Sequence, residues 1–306
     1  MRFTLLRFLL STALCLAAAL CIPAWGQSVP ASDWAVHLLN QYQIAPNITY
    51  LTANNYEAKL DVYYRANVST PQPTLIWIHG GGWTGGVKEN SLPFFAPWME
   101  MGWQVVNVEY RLARVSPAPA AVEDCLCALR WVAGHARQYN FDTTRLVVSG
   151  DSAGGHLALT TGMIPESAGF ESQCPGARLP KVAAIVNWYG ITDVADLLQG
   201  PNLKDYAVAW LGNRPDRAEL AKRISPLQFV RKDLPPILTI HGDADPIVPY
   251  THAQRLQAEL EKAGAPHQLV TVPGGKHGYF SDAERTTIYT EIRAFLTKYK
   301  LPVRNP

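Results

Sequence analysis

One serine stands between small residues at a place where the chain could form a reactive turn. The stretch Gly150-Asp151-Ser152-Ala153-Gly154 fits the pattern Gly-x-Ser-x-Gly, and it follows a β-branched run and precedes a run that favours a helix. This order is typical of a nucleophile elbow, which lifts the hydroxyl above the strand end and turns the N-terminus of the next helix towards it. The pattern alone is weak, because glycine and serine are common residues. Its meaning depends on whether partners for the serine exist elsewhere.

A serine hydroxyl needs a base to take its proton and an acid to orient that base. In folds with this elbow the partners follow the serine in the order Asp or Glu, then His. A loop after one predicted strand contains Asp243 and Asp245, and a loop after a later strand contains His277. Ligands bind at the carboxyl ends of parallel strands. We therefore expect His277 and one of the two aspartates to lie beside Ser152.

A glycine-rich loop could stabilise the negative charge of such a reaction. Gly80, Gly81 and Gly82 follow another predicted strand. Glycines let backbone N–H groups approach a ligand closely, and the N–H of Ala153 would complete an oxyanion hole. Each donor of this kind contributes about 3 kcal/mol to transition-state stabilisation. Together the motifs predict acyl transfer by a serine nucleophile.

The spacing of apolar residues predicts strands that alternate with helices. Strands are predicted at residues 60–64, 74–78, 104–109, 146–149, 182–188, 237–241 and 268–272, and helices at 119–139, from Ser152 onwards, at 254–263 and at 284–299. Alternation of this kind predicts parallel βαβ units. We expect an α/β fold with a mostly parallel central sheet and helices on both faces.

Two segments do not fit this alternation. Residues 39–59, which contain Pro46 and asparagine-rich turns, are interpreted as an entry segment that precedes this alternation. Residues 191–223 lie between two core strands and are mixed in polarity. They predict either a helical excursion over the top of the sheet, as part of a substrate pocket, or a surface loop with a short helix.

The N-terminus has the pattern of a secretory signal peptide. Arg2 and Arg7 accompany an apolar run at 8–22, and small residues after it predict cleavage after Gly26. The alternative is an uncleaved anchor, although the run is short for a membrane span. Without the two arginines the chain has 25 basic and 25 acidic residues, which does not indicate nucleic-acid or anionic-membrane binding. Residues 27–306 are predicted to form a single domain.

Three cysteines follow the predicted signal peptide, at Cys125, Cys127 and Cys174. In an oxidising compartment an odd number predicts one disulfide and one buried thiol. Cys174 is expected to pair with either Cys125 or Cys127. No zinc-ligand spacing and no dinucleotide-binding fingerprint is found in the sequence, so it predicts neither a metal site nor a cofactor.

These motifs resemble those of the hormone-sensitive-lipase-like esterases, a group of α/β-hydrolases. Within the group the chain is most similar to secreted carbohydrate-ester esterases, namely acetylxylan esterases and bifunctional acetyl/feruloyl esterases. The matching stretches follow the family order over nearly all of the predicted domain, at residues 79–83, 106–112, 120–130, 150–156, 225–227, 241–249 and 273–280. The resemblance therefore implies an α/β-hydrolase fold for residues 27–306.

The resemblance assigns roles to individual residues. It implies that Ser152 is the nucleophile and that His277 is the base. Asp245, the fifth residue of His-Gly-x-x-Asp, is the implied acid, and Asp243 remains the alternative.

The residues around these three also receive expected roles. Gly81, Gly82 and Ala153 are the implied oxyanion donors. Trp83 is expected to line the substrate pocket, with packing in the interior as the alternative. Four polar residues are expected to brace the site rather than to react: His79, Asp151, His156 and His241. The chain departs from the family pattern at 114–117, a loop that often borders the pocket, so substrate choice stays open.

The implied protein is a secreted or periplasmic serine carboxylesterase that needs no cofactor. It would act through an acyl-serine on short-chain or carbohydrate-linked esters, acetyl or feruloyl, of small molecules or polysaccharides. A prolyl-oligopeptidase-like peptidase, or a formamidase or other amidase, shares parts of the motifs, although the chain has no propeller domain. A binding protein on the same fold is the third class, although such proteins lose a triad residue and this chain keeps all three.

Overall fold

Eight strands form one mixed sheet in the computed structural model, which describes residues 36, 38, 40–174, 176 and 178–304. The strands are β1 Gln43–Ala53, β2 Tyr56–Tyr64, β3 Gln72–Ile78, β4 Gln104–Val108, β5 Phe141–Asp151, β6 Ala184–Trp188, β7 Ile237–Gly242 and β8 His267–Val272. Their spatial order is β1-β2-β4-β3-β5-β6-β7-β8, and β3 to β8 are mutually parallel. The predicted signal peptide, residues 1–26, lies outside the described residues.

Helices cover both faces of the sheet. They are α1 Leu92–Glu100, α2 Ala120–Gly134, α3 Ala136–Tyr139, α4 Ala153–Met163, α5 Asp205–Leu211, α6 Arg217–Arg223, α7 Thr251–Ala263 and α8 Asp282–Lys298. The core on one face contains Leu126 of α2, Leu157 of α4 and Leu256 of α7. The core on the other face contains Trp98 of α1 and Phe295 of α8. The predicted α/β architecture, a mostly parallel sheet between helical layers, is confirmed. None of the helices in the described part of the chain is long and apolar enough to cross a membrane.

The path of the chain around β3 brings four loops to one end of the sheet. β3 is buried along its whole length. Its neighbours β4 and β5 are reached through α1 on one side and through α2 and α3 on the other. Ligand sites in open parallel sheets form where the strand order reverses in this way. The loops that follow β3, β5, β7 and β8 therefore open at the same, carboxyl-terminal end.

β1 is a strand that the sequence pattern did not predict. It pairs antiparallel with β2 through a two-residue turn at Asn54 and Asn55, whose φ values are +51° and +62°. Two positive φ angles are typical of a type I′ hairpin turn. Pro46 and two register shifts in the pairing interrupt the alternation of side chains, and such bulges hide a strand from its pattern. The entry segment at 39–59 therefore contains a strand that was not predicted, in addition to the asparagine turn that was.

The helices differ from expectation in a few places. α1 contains Pro93 and Pro97, which weaken the helical signal, and no helix was predicted there. The helix predicted at 119–139 is interrupted at His135 into α2 and α3. Residues 191–223 contain α5, α6 and two 3₁₀ turns, so the expected helical excursion is present.

A disulfide bond joins α2 to the segment before β6. Cys127 pairs with Cys174, 47 residues further along the chain. Cys125 is buried with a free thiol, and burial raises the pKa of that thiol well above its usual value. The prediction of one disulfide and one buried thiol is confirmed, and Cys127 rather than Cys125 is the partner of Cys174.

The disulfide bond should be visible in thiol counts and in stability. We expect residues 27–306, denatured without reductant, to show one reactive thiol, and the Cys125→Ser variant to show none. Because the bond closes a loop with a sequence separation of 47, the double variant Cys127→Ala/Cys174→Ala should lose about 2–4 kcal/mol of unfolding free energy. Thiol titration and urea denaturation measure the two effects. Three reactive thiols in the unchanged chain would contradict the pairing.

Candidate active site

Ser152, His277 and Asp245 form a hydrogen-bonded row at the carboxyl end of the sheet. Nε2 of His277 lies 2.9 Å from Oγ of Ser152, and Nδ1 of His277 lies 2.7 Å from Oδ2 of Asp245. The three residues follow β5, β8 and β7 respectively. The fold thus brings together, as expected, a serine and a histidine that are 125 positions apart.

Ser152 occupies a strained turn between β5 and α4. Its φ is +56° and its ψ is −117°, a conformation that costs a residue with a side chain roughly 1–3 kcal/mol. The turn lies so close to the end of β3 that a Cβ on Gly150 or Gly154 would collide with the carbonyl oxygen of Ile78. The backbone N–H of Ser152 donates to the carbonyl oxygen of Trp188 at 2.9 Å. Small neighbours are therefore required for the serine to reach this position.

The carboxylate of Asp245 has hydrogen-bond partners at both oxygens. Oδ1 accepts from the backbone N–H groups of Ile247 and Val248, at 2.8 and 3.0 Å. Oδ2 faces His277 and also lies 3.3 Å from Nε2 of His241. Burial raises the pKa of Asp245, but the hydrogen bonds from His241 and His277 outweigh it and hold the pKa below its usual value. Asp245 is therefore ionised at neutral pH.

Asp243, the alternative acid, bonds the backbone rather than the histidine. Its side chain is exposed, and its Oδ1 accepts a hydrogen bond from the backbone N–H of Gly274 at 2.6 Å. This contact ties the loop after β7 to the loop that leads to His277. Asp245 is therefore the aspartate that contacts the histidine, and Asp243 braces the loops.

The glycine loop after β3 is fastened beside the serine turn. The N–H of Gly80 donates to Oδ1 of Asp151 at 2.9 Å. Gly81 and Gly82 have φ values of +116° and +60°, which glycine adopts without strain. Within the described residues, no hydrogen-bond acceptor is found for the N–H groups of Gly81, Gly82 and Ala153. These three N–H groups are free to bind a ligand.

His79 holds the same loop from the other side. Its Nδ1 lies 2.7 Å from the carbonyl oxygen of Gly80, and its ring stacks on Tyr110 with centroids 4.4 Å apart. The hydroxyl of Tyr110 donates to the carbonyl oxygen of His79 at 3.1 Å. His79 and Asp151 thus have the bracing contacts that the sequence predicts for them.

Trp83 is buried in the interior and does not line the site, which corrects the expectation of a pocket wall. Its side chain is 0 % exposed, and its ring stacks on Trp210 of α5 with centroids 4.0 Å apart. The physical reason is that α5 covers the glycine loop. The half-buried Tyr206 lies so close that a Cβ on Gly82 would be 3.0 Å from its side chain. No motif in the sequence indicated Tyr206, although one of the two interpretations of its segment placed that segment at the pocket.

His156 connects the glycine loop, α4 and the end of the helical excursion. Its Nδ1 accepts from Nε1 of Trp83 at 3.2 Å, and its Nε2 donates to the carbonyl oxygen of Ile224 at 2.8 Å. Burial lowers the pKa of His156 to about 4. The side chain is neutral and fully hydrogen-bonded, as expected for a bracing residue.

Comparison with known proteins assigns the chain to a family. The family model described as BD-FAE matches residues 60–260, more than half of the chain. The chain belongs to the BD-FAE family. A second model, described as TAP-like protein, matches residues 217–306. The BD-FAE match includes Ser152 and Asp245, and the second match includes Asp245 and His277.

Several esterases are similar to this BD-FAE chain. Esterase LipQ of Mycobacterium tuberculosis is 28% identical over 235 residues, which are 73% of this chain and 54% of LipQ. The chain spans about half the length of the curated relatives it matches. A truncated carbohydrate esterase from gut microbiota is 29% identical with a TM-score of 0.72, covering 82% of this chain and 96% of that one.

The fold itself is shared more widely. A thermophilic esterase of Thermogutta terrifontis, solved with propionate bound, has a TM-score of 0.71 at 24% identity and covers 87% of this chain and 97% of that one. A likeness at this identity shows the fold alone. The BD-FAE chain therefore has an α/β-hydrolase fold, as expected.

The buried His156 should make the BD-FAE chain less stable in mild acid. The unfolded chain binds a proton on His156 below about pH 6.5, whereas the folded chain binds it only below about pH 4. As the pH falls through this window, the free energy of unfolding should therefore decrease by about 1.4 kcal/mol per pH unit. Burial also lowers the pKa of His252 to about 4, which adds a similar slope. The lowered pKa of Asp245 changes the free energy of unfolding only below about pH 4.

Two matched variants test this dependence. We expect His156→Asn and His252→Asn each to reduce the slope by about 1.4 kcal/mol per pH unit. Urea denaturation at about pH 4.5, 5.5 and 6.5 gives the slope of the unfolding free energy against pH. The slopes of the variants are compared, and not their absolute stabilities, because each substitution also removes packing contacts. Slopes that equal that of the unchanged chain would show that these histidines titrate normally in the folded protein.

Proposed function

We propose that this chain is a carboxylic ester hydrolase in which Ser152 is the nucleophile. The observation that supports this most directly is the row from Ser152 through His277 to Asp245, with contacts of 2.9 and 2.7 Å. The ionised Asp245 accepts from Nδ1 of His277 and so favours the tautomer whose Nε2 can take a proton. The family and the similar esterases support the same activity.

In the proposed reaction, Oγ of Ser152 attacks the ester carbonyl carbon while Nε2 of His277 takes the hydroxyl proton. The N–H groups of Gly81, Gly82 and Ala153 stabilise the oxyanion of the tetrahedral intermediate. The alcohol then leaves with the proton from His277, which produces an acyl-serine. Water attacks the acyl carbon and gives a proton to His277. The acid is released as the serine oxygen regains that proton.

We propose short-chain or carbohydrate-linked esters, acetyl or feruloyl, as the substrates. The BD-FAE match and the likeness to a carbohydrate esterase support this class. The loops of His277 and Asp245 continue into Tyr279, which is 85 % exposed, and Ile247, which is 42 % exposed. These exposed side chains suit an ester whose alcohol or acyl group extends towards solvent, as in a small-molecule conjugate or a polysaccharide.

We also propose that the protein is secreted or periplasmic. The signal-peptide pattern of residues 1–26, with cleavage after Gly26, supports export. The disulfide bond between Cys127 and Cys174 supports it independently, because disulfides persist mainly in oxidising compartments.

The proposed roles predict a graded series of losses. Ser152→Ala should reduce kcat for 4-nitrophenyl acetate by about 10⁵-fold or more. Asp245→Asn should reduce it by about 10⁴-fold, because the imidazole is then held in the wrong tautomer. Asp243→Asn is the matched control, and its kcat should stay within about tenfold of the unchanged chain, because the carboxylate of Asp243 accepts from the N–H of Gly274 and the histidine is bonded by Asp245. Initial rates at neutral pH, with melting curves to verify folding, give the comparison. A larger loss in Asp243→Asn than in Asp245→Asn would reassign the acid.

The proposed substrate class predicts a pattern of turnover. We expect acetyl esters to be hydrolysed faster than octanoyl esters, and acetate to be released from acetylated xylan, with both activities lost in Ser152→Ala. Initial rates on acetyl, butyryl and octanoyl nitrophenyl esters, methyl ferulate, acetylated xylan and a prolyl anilide test this. Ester turnover without release from xylan would restrict the substrates to small esters. Faster turnover of the anilide than of the esters would favour a peptidase or amidase, and no turnover of any substrate would favour a binding protein.

A further inference from the structure

Tyr189 has a backbone conformation that tyrosine rarely adopts. It follows β6 directly, and its φ is +39°, where a residue with a side chain is strained by roughly 1–3 kcal/mol. The turn is fixed by two hydrogen bonds. The N–H of Tyr189 donates to the carbonyl oxygen of Ile240 at 2.7 Å, and the N–H of Gly190 donates to Oδ1 of Asn187 at 3.0 Å. Strain that the surroundings maintain in this way points to a function at that position.

The turn places the ring of Tyr189 against the imidazole of His277. The ring centroids are 4.7 Å apart, and the planes are inclined by 61°. The ring of Phe280 packs against the same tyrosine, with centroids 5.9 Å apart, and Tyr189 is 2 % exposed. A Cβ on Gly278 would lie 2.7 Å from Oη of Tyr189. The loop that carries His277 therefore rests directly on the tyrosine.

The two hydrogen bonds of His277 fix the positions of its two ring nitrogens more firmly than they fix the tilt of the ring. They hold Nδ1 near Asp245 and Nε2 near Ser152. Rotation of the imidazole about the line through these two nitrogens changes neither distance, although it tilts the ring away from the direction of its partners and weakens both bonds. A ring packed 4.7 Å from the imidazole restricts that rotation.

We propose that Tyr189 is a positioning residue whose ring holds the imidazole of His277 in the orientation that directs Nε2 at Ser152. The inference rests on the proposed function, because it concerns the base of that reaction. Tyr189 contacts His277 through its aromatic ring, and the two printed hydrogen bonds of the imidazole go to Asp245 and Ser152. The aromatic ring is therefore the part of Tyr189 that the site uses.

Variants at this position separate the contribution of the aromatic ring to turnover from that of the strained backbone. Tyr189→Phe keeps the ring and should leave kcat for 4-nitrophenyl acetate within threefold of the unchanged chain. Tyr189→Gly adopts positive φ easily but lacks the ring, and its kcat should fall about 100-fold while KM changes less than threefold, because a base displaced by about 1 Å loses roughly that much. Tyr189→Asn, which also tolerates positive φ, is the second ring-free variant and should show the same loss.

Two further variants decide between positioning, packing and failure of the proposed function. Tyr42 is a buried tyrosine far from the site, where its hydroxyl donates to the carbonyl oxygens of Met99 and Trp103, and Tyr42→Leu should lower the melting temperature without changing kcat. A ring-free Tyr189 variant that keeps kcat within threefold, or that changes KM and not kcat, would overturn the positioning role. Undiminished ester turnover in Ser152→Ala would overturn the proposed function and this inference with it. If Ser152→Ala is inactive and the ring-free variants are fully active, only the positioning role fails.

Discussion

The contact between the serine turn and the end of β3 is the constraint on which the site depends. Gly150 and Gly154 approach the carbonyl oxygen of Ile78 so closely that no side chain fits at either position. β3 continues from Ile78 into the glycine loop, and Asp151, next to the serine, accepts the N–H of Gly80. One close-packed contact therefore sets the distance between the proposed nucleophile and the proposed oxyanion donors. Because protein interiors are packed as densely as crystals, this distance is held without any contribution from the substrate.

The second requirement of the site is a buried negative charge that is fully hydrogen-bonded. An ionised carboxylate is unstable in the interior unless its oxygens find donors. Asp245 is 9 % exposed and has backbone donors at Oδ1 and two histidines at Oδ2. The Nε2 of His241 also lies 3.0 Å from the carbonyl oxygen of Val248. Because a carbonyl oxygen can only accept, Nε2 of His241 carries a proton and acts as a donor. The carboxylate is thus held in place while one oxygen faces His277, the group that becomes positive in the proposed reaction.

The residues at the strand ends were predictable from the sequence because the chemistry fixes both their type and their order along the chain. The surroundings of those residues were not. The orientation of Trp83 depends on stacking with Trp210, which belongs to a distant segment, and no local pattern carries that information. β1 was hidden by register shifts that break its alternation. Tyr189 gave no signal at all, because a tyrosine at positive φ contradicts every propensity by which turns are predicted.

Reaction and substrate selection are supported by different parts of this fold. The proposed reacting groups lie on the loops after β5, β7 and β8, which the parallel sheet holds in register. The wall beside the glycine loop comes from α5, through Tyr206. α5 is tied to the residue that follows the segment at 114–117, where the chain departs from the family pattern, because the N–H of Ala118 donates to the carbonyl oxygen of Trp210 at 2.9 Å. Arg214 also donates to the carbonyl oxygen of Ala118, at 3.0 Å. Since these two segments contact each other and neither carries a reacting group, changes in them can reshape the wall and leave the hydrogen-bonded row intact. We therefore expect substrate preference to follow these paired segments, and the reaction to follow the strand ends.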